Sequence, residues 1–63
     1  MLNFVNIAVD AMGGDGSPKK VIDGILHNHQ SNSNVFYKIF GDQKKITQLI
    51  DRKINKEFYE ILH

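Results

Sequence analysis

Phe4-Val5-Asn6-Ile7-Ala8-Val9 runs into Asp10-Ala11-Met12-Gly13-Gly14-Asp15-Gly16 and then Ser17-Pro18. The first six residues are short, apolar and β-branched, and they are bounded by an acidic residue and glycines. That pattern reads as a strand. Apolar residues stand at both parities, so both faces of the strand are expected to be buried, as in a parallel sheet covered on two sides. The glycine-rich segment reads as a turn. Ser17 followed by Pro18 predicts a helix start, with serine as the N-cap and proline at the first helical position.

The rest of the chain continues the alternation. Val21, Ile22, Ile25 and Leu26 form one apolar stripe at helical spacing. Gly24 weakens that helix by roughly 1 kcal/mol relative to alanine, unless close packing demands it. Gln30 to Asn34 reads as a polar loop, and Val35 to Phe40 as a second strand, apolar on both faces apart from Lys38. Gly41-Asp42 closes it, with Asp42 as N-cap of the next helix. Ile46, Leu49, Ile50 and Ile54 share one face of that helix, opposite Lys44, Lys45, Gln48, Asp51 and Arg52. Phe58 to Leu62 reads as a third strand.

The predicted order is therefore β-α-β-α-β, which implies a parallel sheet with right-handed crossovers. Two such crossovers advancing in one direction place both helices on the same face. The other face is left bare, with residues such as Phe36 or Tyr37 on it. Residues 1–63 thus read as the N-terminal part of a single larger three-layer α/β/α domain, truncated after the third strand. Met1, leading straight into the first strand, reads as a genuine start.

Size and composition narrow the function classes. A chain of 63 residues buries only about 60% of its unfolded surface and needs a staple or a partner. There is no cysteine, which excludes disulfides and thiolate metal sites. Eight basic and seven acidic residues give a net charge of +1, too balanced to argue for nucleic acid. No run approaches the roughly 20 apolar residues of a membrane span. The first apolar run has no basic residue before it, Asn6 interrupts it and Asp10 closes it, so it does not read as a secretory signal. A cytoplasmic protein is expected.

The segment Asp10 to Asp15 is where chemistry is expected. In open α/β sheets ligands sit beyond the carboxyl ends of the strands, and a helix N-terminus suits phosphate. Gly13 and Gly14 can take positive φ and let a ligand approach the backbone. Asp10 and Asp15 either accept loop N–H bonds or orient a cation or a substrate hydroxyl. The plain alternative is a tight turn without a ligand. The P-loop pattern is absent, and the dinucleotide pattern G-x-G-x-x-G fails because Lys19 stands where the third glycine belongs. His27 and His29, two apart, do not face each other on a helix and read as surface residues at its end. Ser17 lacks a nucleophile elbow. Lys19 and Lys20 lie near the expected anion position, with a solvated face as the default. Lys44, Lys45, Arg52, Lys53 and Lys56 read as the solvated side of the second helix.

Ile7-Ala8-Val9-Asp10-Ala11-Met12-Gly13-Gly14-Asp15, then Pro18 and Val21-Ile22-Asp23-Gly24, resembles the opening of the PlsX-type phosphate acyltransferases. The likeness continues more weakly through Phe40-Gly41-Asp42 and Ile61-Leu62-His63. It spans this chain but only a small part of the family's length. The resemblance implies a large α/β/α sandwich related to the isopropylmalate dehydrogenases and phosphotransacetylases. It implies a bacterial homodimer, working in the cytoplasm near the membrane without metal or organic cofactor. The reaction implied joins the acyl group of fatty acyl-acyl carrier protein to inorganic phosphate, giving acyl phosphate for phospholipid synthesis. Such an enzyme holds its two substrates in line and stabilises the developing oxyanion. On this resemblance Asp10, Gly13, Gly14 and Asp15 border the substrate cleft, with Met12 as a wall. The family's later loops, basic residues and dimer helices are missing, so this chain alone is expected to be inactive. Two other readings stand beside it: a non-catalytic relic or interaction piece, and a small phosphate- or nucleotide-binding βαβ module.

Overall fold

A computed structural model describes residues 4–63; the expectation about Met1 lies outside them. The described residues form β1 (Val5–Asp10), α1 (Lys19–Ser31), β2 (Val35–Phe40), α2 (Gln43–Ile50), a 3-10 turn (Lys56–Phe58) and β3 (Tyr59–Leu62). The three strands make one parallel sheet in the order β1-β2-β3. This is an α/β fragment.

Register decides which side chains share a face. Val5, Ile7 and Val9 pair with Val35, Tyr37 and Ile39, and the last two pair with Tyr59 and Ile61. These eight lie on one face. Ile22 and Ile25 of α1 and Ile46 and Ile50 of α2 join Val35, Tyr37 and Ile39 in a single core, so both helices cover that same face. The opposite face carries Asn6, Ala8 and Asp10, then Phe36, Lys38 and Phe40, then Glu60 and Leu62. Phe36 is half-buried and Phe40 exposed.

The bare face expected within this chain is therefore present: the two helices cover one face of the sheet only. Tyr37, named beside Phe36 for the bare face, lies instead under α1 at 2% exposure. Its hydroxyl accepts a hydrogen bond from Asn28 Nδ2 at 2.6 Å, which satisfies its polar tip. β1 is uncovered even on the helix side, with Val5 and Ile7 exposed. It is an edge strand, and the helices centre on β2.

Several boundaries differ from the sequence reading. β1 runs Val5–Asp10 rather than Phe4 to Val9, and α1 continues through Gln30 and Ser31, two residues into the expected loop. Pro18, not Ser17, occupies the N-cap of α1, and no side chain caps that end. α2 ends at Ile50 because Asp51 turns extended and Arg52 takes a φ of 63°; Ile54 still reaches the core from the following turn. Phe58 closes the 3-10 turn rather than opening β3. The Asp42 cap holds: its Oδ1 accepts the Lys45 N–H at 3.1 Å. His29 is not a surface residue. It is half-buried with its ring 4.8 Å from that of Phe58, and its buried Nδ1 has no hydrogen-bond partner among the described residues.

Candidate active-site loop

The carboxyl ends of the three strands are stitched together just where the loops leave the sheet. The Ala11 N–H donates to the Phe40 carbonyl at 2.9 Å, and the Gly41 N–H to the Leu62 carbonyl at 3.0 Å. Ala11 is fully buried. The β1–α1 loop therefore rises from a fixed base.

Within the loop, Asp10 acts on its own backbone. Its Oδ1 accepts the Met12 N–H at 3.0 Å, the first of the two roles left open for it. A Cβ on Gly13 would lie 3.5 Å from Asp10 Oδ2, an ordinary contact, so crowding does not demand glycine at position 13. Gly14 and Gly16 differ. Their φ values of 84° and 81° lie in the left-handed region, which costs an L-residue roughly 1–2 kcal/mol. Gly14 faces open space, leaving its backbone free to be approached. Ser17 Oγ donates to the Gly13 carbonyl, so it braces the loop and does not cap the helix.

The loop's electrostatics are mixed. Asp10 and Asp15 are acidic and exposed. The Lys19 ammonium is held by Asp23 at 2.7 Å, with both side chains largely in solvent. Lys20 lies closer, its stem alongside Gly16, but its N–H already donates to the Gly16 carbonyl at 3.0 Å. The helix start thus offers fewer free amides than its sequence suggests. Asp10, Met12, Gly13, Gly14 and Asp15 all sit together in this exposed loop. Among the described residues, open grooves lie along α2, one of about 300 Å³ reaching β3 past Gln43, Asp51, Lys56 and Glu60. Among the described residues no cluster of acidic side chains and histidines could hold a metal ion, and no helix is long and apolar enough to cross a membrane.

Gly41, read from the sequence as the close of the second strand and given no part in the site, bears on the loop. A Cβ there would stand 2.7 Å from Met12 Cγ and 2.9 Å from Ile46 Cδ1. Met12 therefore lies across the missing side chain of the next loop. The available signal was the similar form of the two strand ends, Val9-Asp10 and Phe40-Gly41-Asp42, each an apolar run closed by an aspartate, with a glycine before it only in the second.

Comparison with known proteins places this loop in a family. A family model described as fatty acid synthesis protein matches residues 5–63. The chain belongs to that family. A phosphate acyltransferase of Pelagibacter ubique is 56% identical over all 63 residues, which are 19% of its own length. Those of Lactococcus lactis and Lactobacillus gasseri are 38% and 41% identical over 56 residues, 17% and 16% of their lengths. The chain thus spans less than a fifth of these curated relatives. The PlsX-type resemblance stands, for a fragment.

Proposed function

We propose that this chain is the N-terminal part of a phosphate acyltransferase domain, inactive when alone. The complete enzyme would transfer a fatty acyl group from acyl-acyl carrier protein to inorganic phosphate. A phosphate oxygen adds to the thioester carbonyl, the carbon–sulfur bond breaks, and the carrier leaves as a thiol carrying the proton that phosphate gives up. The observation that carries the reading is the β1–α1 loop of a family member, with Gly14 open at positive φ beyond a strand's carboxyl end.

In this reading Asp10 holds the loop through the Met12 N–H. The Gly13–Gly14 backbone meets the phosphate, Asp15 and Met12 border the cleft, and Lys20 is the nearest cation. The loop's own charge is too acidic to hold phosphate unaided, so further basic groups come from the rest of the domain. That remainder also supplies the layer for the bare sheet face and a strand for the β1 edge. The same reading makes the complete protein a homodimer of the cytoplasm, working beside the membrane on the path to phospholipid.

The test is a fusion in which this chain replaces the matching 19% of the Pelagibacter ubique relative. The fusion should release carrier thiol in a phosphate-dependent way, and the 63-residue chain should not exceed blank, because one loop cannot fix two substrates. Gly14→Val in the fusion should abolish turnover while the fold persists, since a β-branched residue is strained at φ of 84° and blocks the backbone. Near-normal turnover of that variant would remove the loop from the cleft. A folded but silent fusion would favour the relic.

A further inference from the structure

We propose that Gly41 is a positioning residue for the phosphate loop, acting through Met12; the inference rests on the reading of Gly13 and Gly14 as that loop. Gly41 lies in the β2–α2 connection, 25 or more residues from the glycine turn in sequence. Its missing side chain leaves a notch between the two loops. Met12 occupies the notch, with Cγ and Sδ 2.7 and 3.0 Å from where a Gly41 Cβ would stand; Ile46 Cδ1 closes the other side at 2.9 Å. Separations under about 3 Å require something to move.

Burial decides which neighbour yields. Ile46 is 0% exposed within the core, whereas Met12 is 41% exposed and unbranched. A methyl group at position 41 therefore expels Met12 rather than Ile46, since close-packed interiors yield least. Met12 is tied at its other end, its N–H held by Asp10 Oδ1, and Gly13 and Gly14 follow directly. Displacing the methionine shifts the anchor of the residues read as meeting phosphate. Gly41 thus sets where the glycine loop stands relative to the second loop, without touching substrate itself.

The experiment uses the fusion enzyme and separates KM for phosphate from KM for acyl-acyl carrier protein. Gly41→Ala should raise KM for phosphate about tenfold, because small misplacements of a binding group are costly, and leave KM for the acyl carrier unchanged. Met12→Ala, which empties the notch without a clash and keeps the fold, should raise it roughly threefold. The double variant should fall well short of the sum of the two single effects, since the Met12 clash is gone and only the Ile46 contact and the backbone strain of an L-residue at a φ of 157° remain. Additive effects, or an unchanged phosphate KM in both single variants, would overturn the proposal. So would recovery of Gly41→Ala by Ile46→Val and not by Met12→Ala, which would place the effect in the core. If Gly41→Ala does not fold, Met12→Ala alone carries the test: an unmoved phosphate KM overturns the proposal and a selective rise supports it. Gly14→Val keeps the two ideas apart. If it leaves phosphate use intact, the loop reading itself fails; if it abolishes turnover while the Gly41 and Met12 variants do nothing, only the present inference fails.

Discussion

The uncovered apolar surface of the sheet should make this chain associate, and the amount is calculable. Phe4, Val5, Ile7, Met12 and Phe40 are each between 38% and 53% exposed. At roughly 150–200 Å² for a fully exposed large apolar side chain, these five leave about 400 Å² open to water. At about 25 cal/mol per Å² that is on the order of 10 kcal/mol of burial not realised. It matches the whole stability of an ordinary domain, roughly 5–15 kcal/mol. The five do not form one patch. Val5 and Ile7 lie on the helix side of the β1 edge, Phe40 on the bare face and Met12 on the loop, so no single twofold contact can cover them all. The 63-residue chain should therefore form heterogeneous oligomers at micromolar concentration, with free strand edges adding to the tendency. Sedimentation velocity reads the size distribution, and ANS fluorescence reads exposed apolar surface. Phe40→Thr, polar but at ease in a strand, should lower both signals with the far-UV spectrum preserved. A monodisperse monomer with a sharp thermal transition and no dye binding would sink the argument and favour a self-sufficient module.

Three further outcomes follow from particular contacts. Gly24 is exposed in the middle of α1, with nothing within 4 Å of an added Cβ; Gly24→Ala should stabilise the helix by up to about 1 kcal/mol and slow exchange of α1 amides several-fold. Faster exchange in the fusion but not in the chain would mean that the remainder of the fusion packs on Gly24. Asp42→Ala removes the α2 cap and should cost about 1 kcal/mol, read as faster exchange confined to α2, with α1 amides as the control. Ile39→Ala, at a fully buried position in the centre of the sheet, should cost about 2–5 kcal/mol; circular dichroism should show loss of ordered structure in the isolated chain, and an unchanged spectrum would contradict the core assignment.

Local codes were legible because they depend on neighbours in sequence. Strand periods, the apolar stripes of α1 and α2, the Asp42 cap and the glycines of the β1–α1 turn each need only a few adjacent residues to specify them. The parallel order and the shared side of the two helices followed from connection lengths and handedness, again properties of consecutive elements. The family likeness rode on that same contiguous string, Asp10 to Asp15.

What the residues could not announce were events between segments far apart in the chain. Phe36 and Tyr37 are adjacent aromatics, and nothing local separates them; register and the Asn28 hydrogen bond turn Tyr37 inward and leave Phe36 toward the bare face. Ile54 continues a helical spacing that the backbone abandons at Asp51, because the isoleucine reaches the core as well from a turn. Ser17 had an equally good helix amide to accept, yet the folded loop brings the Gly13 carbonyl to its hydroxyl. The seat of Met12 on Gly41 exists only once β1 and β2 lie side by side, since a side chain's absence becomes a binding notch when another segment arrives to fill it.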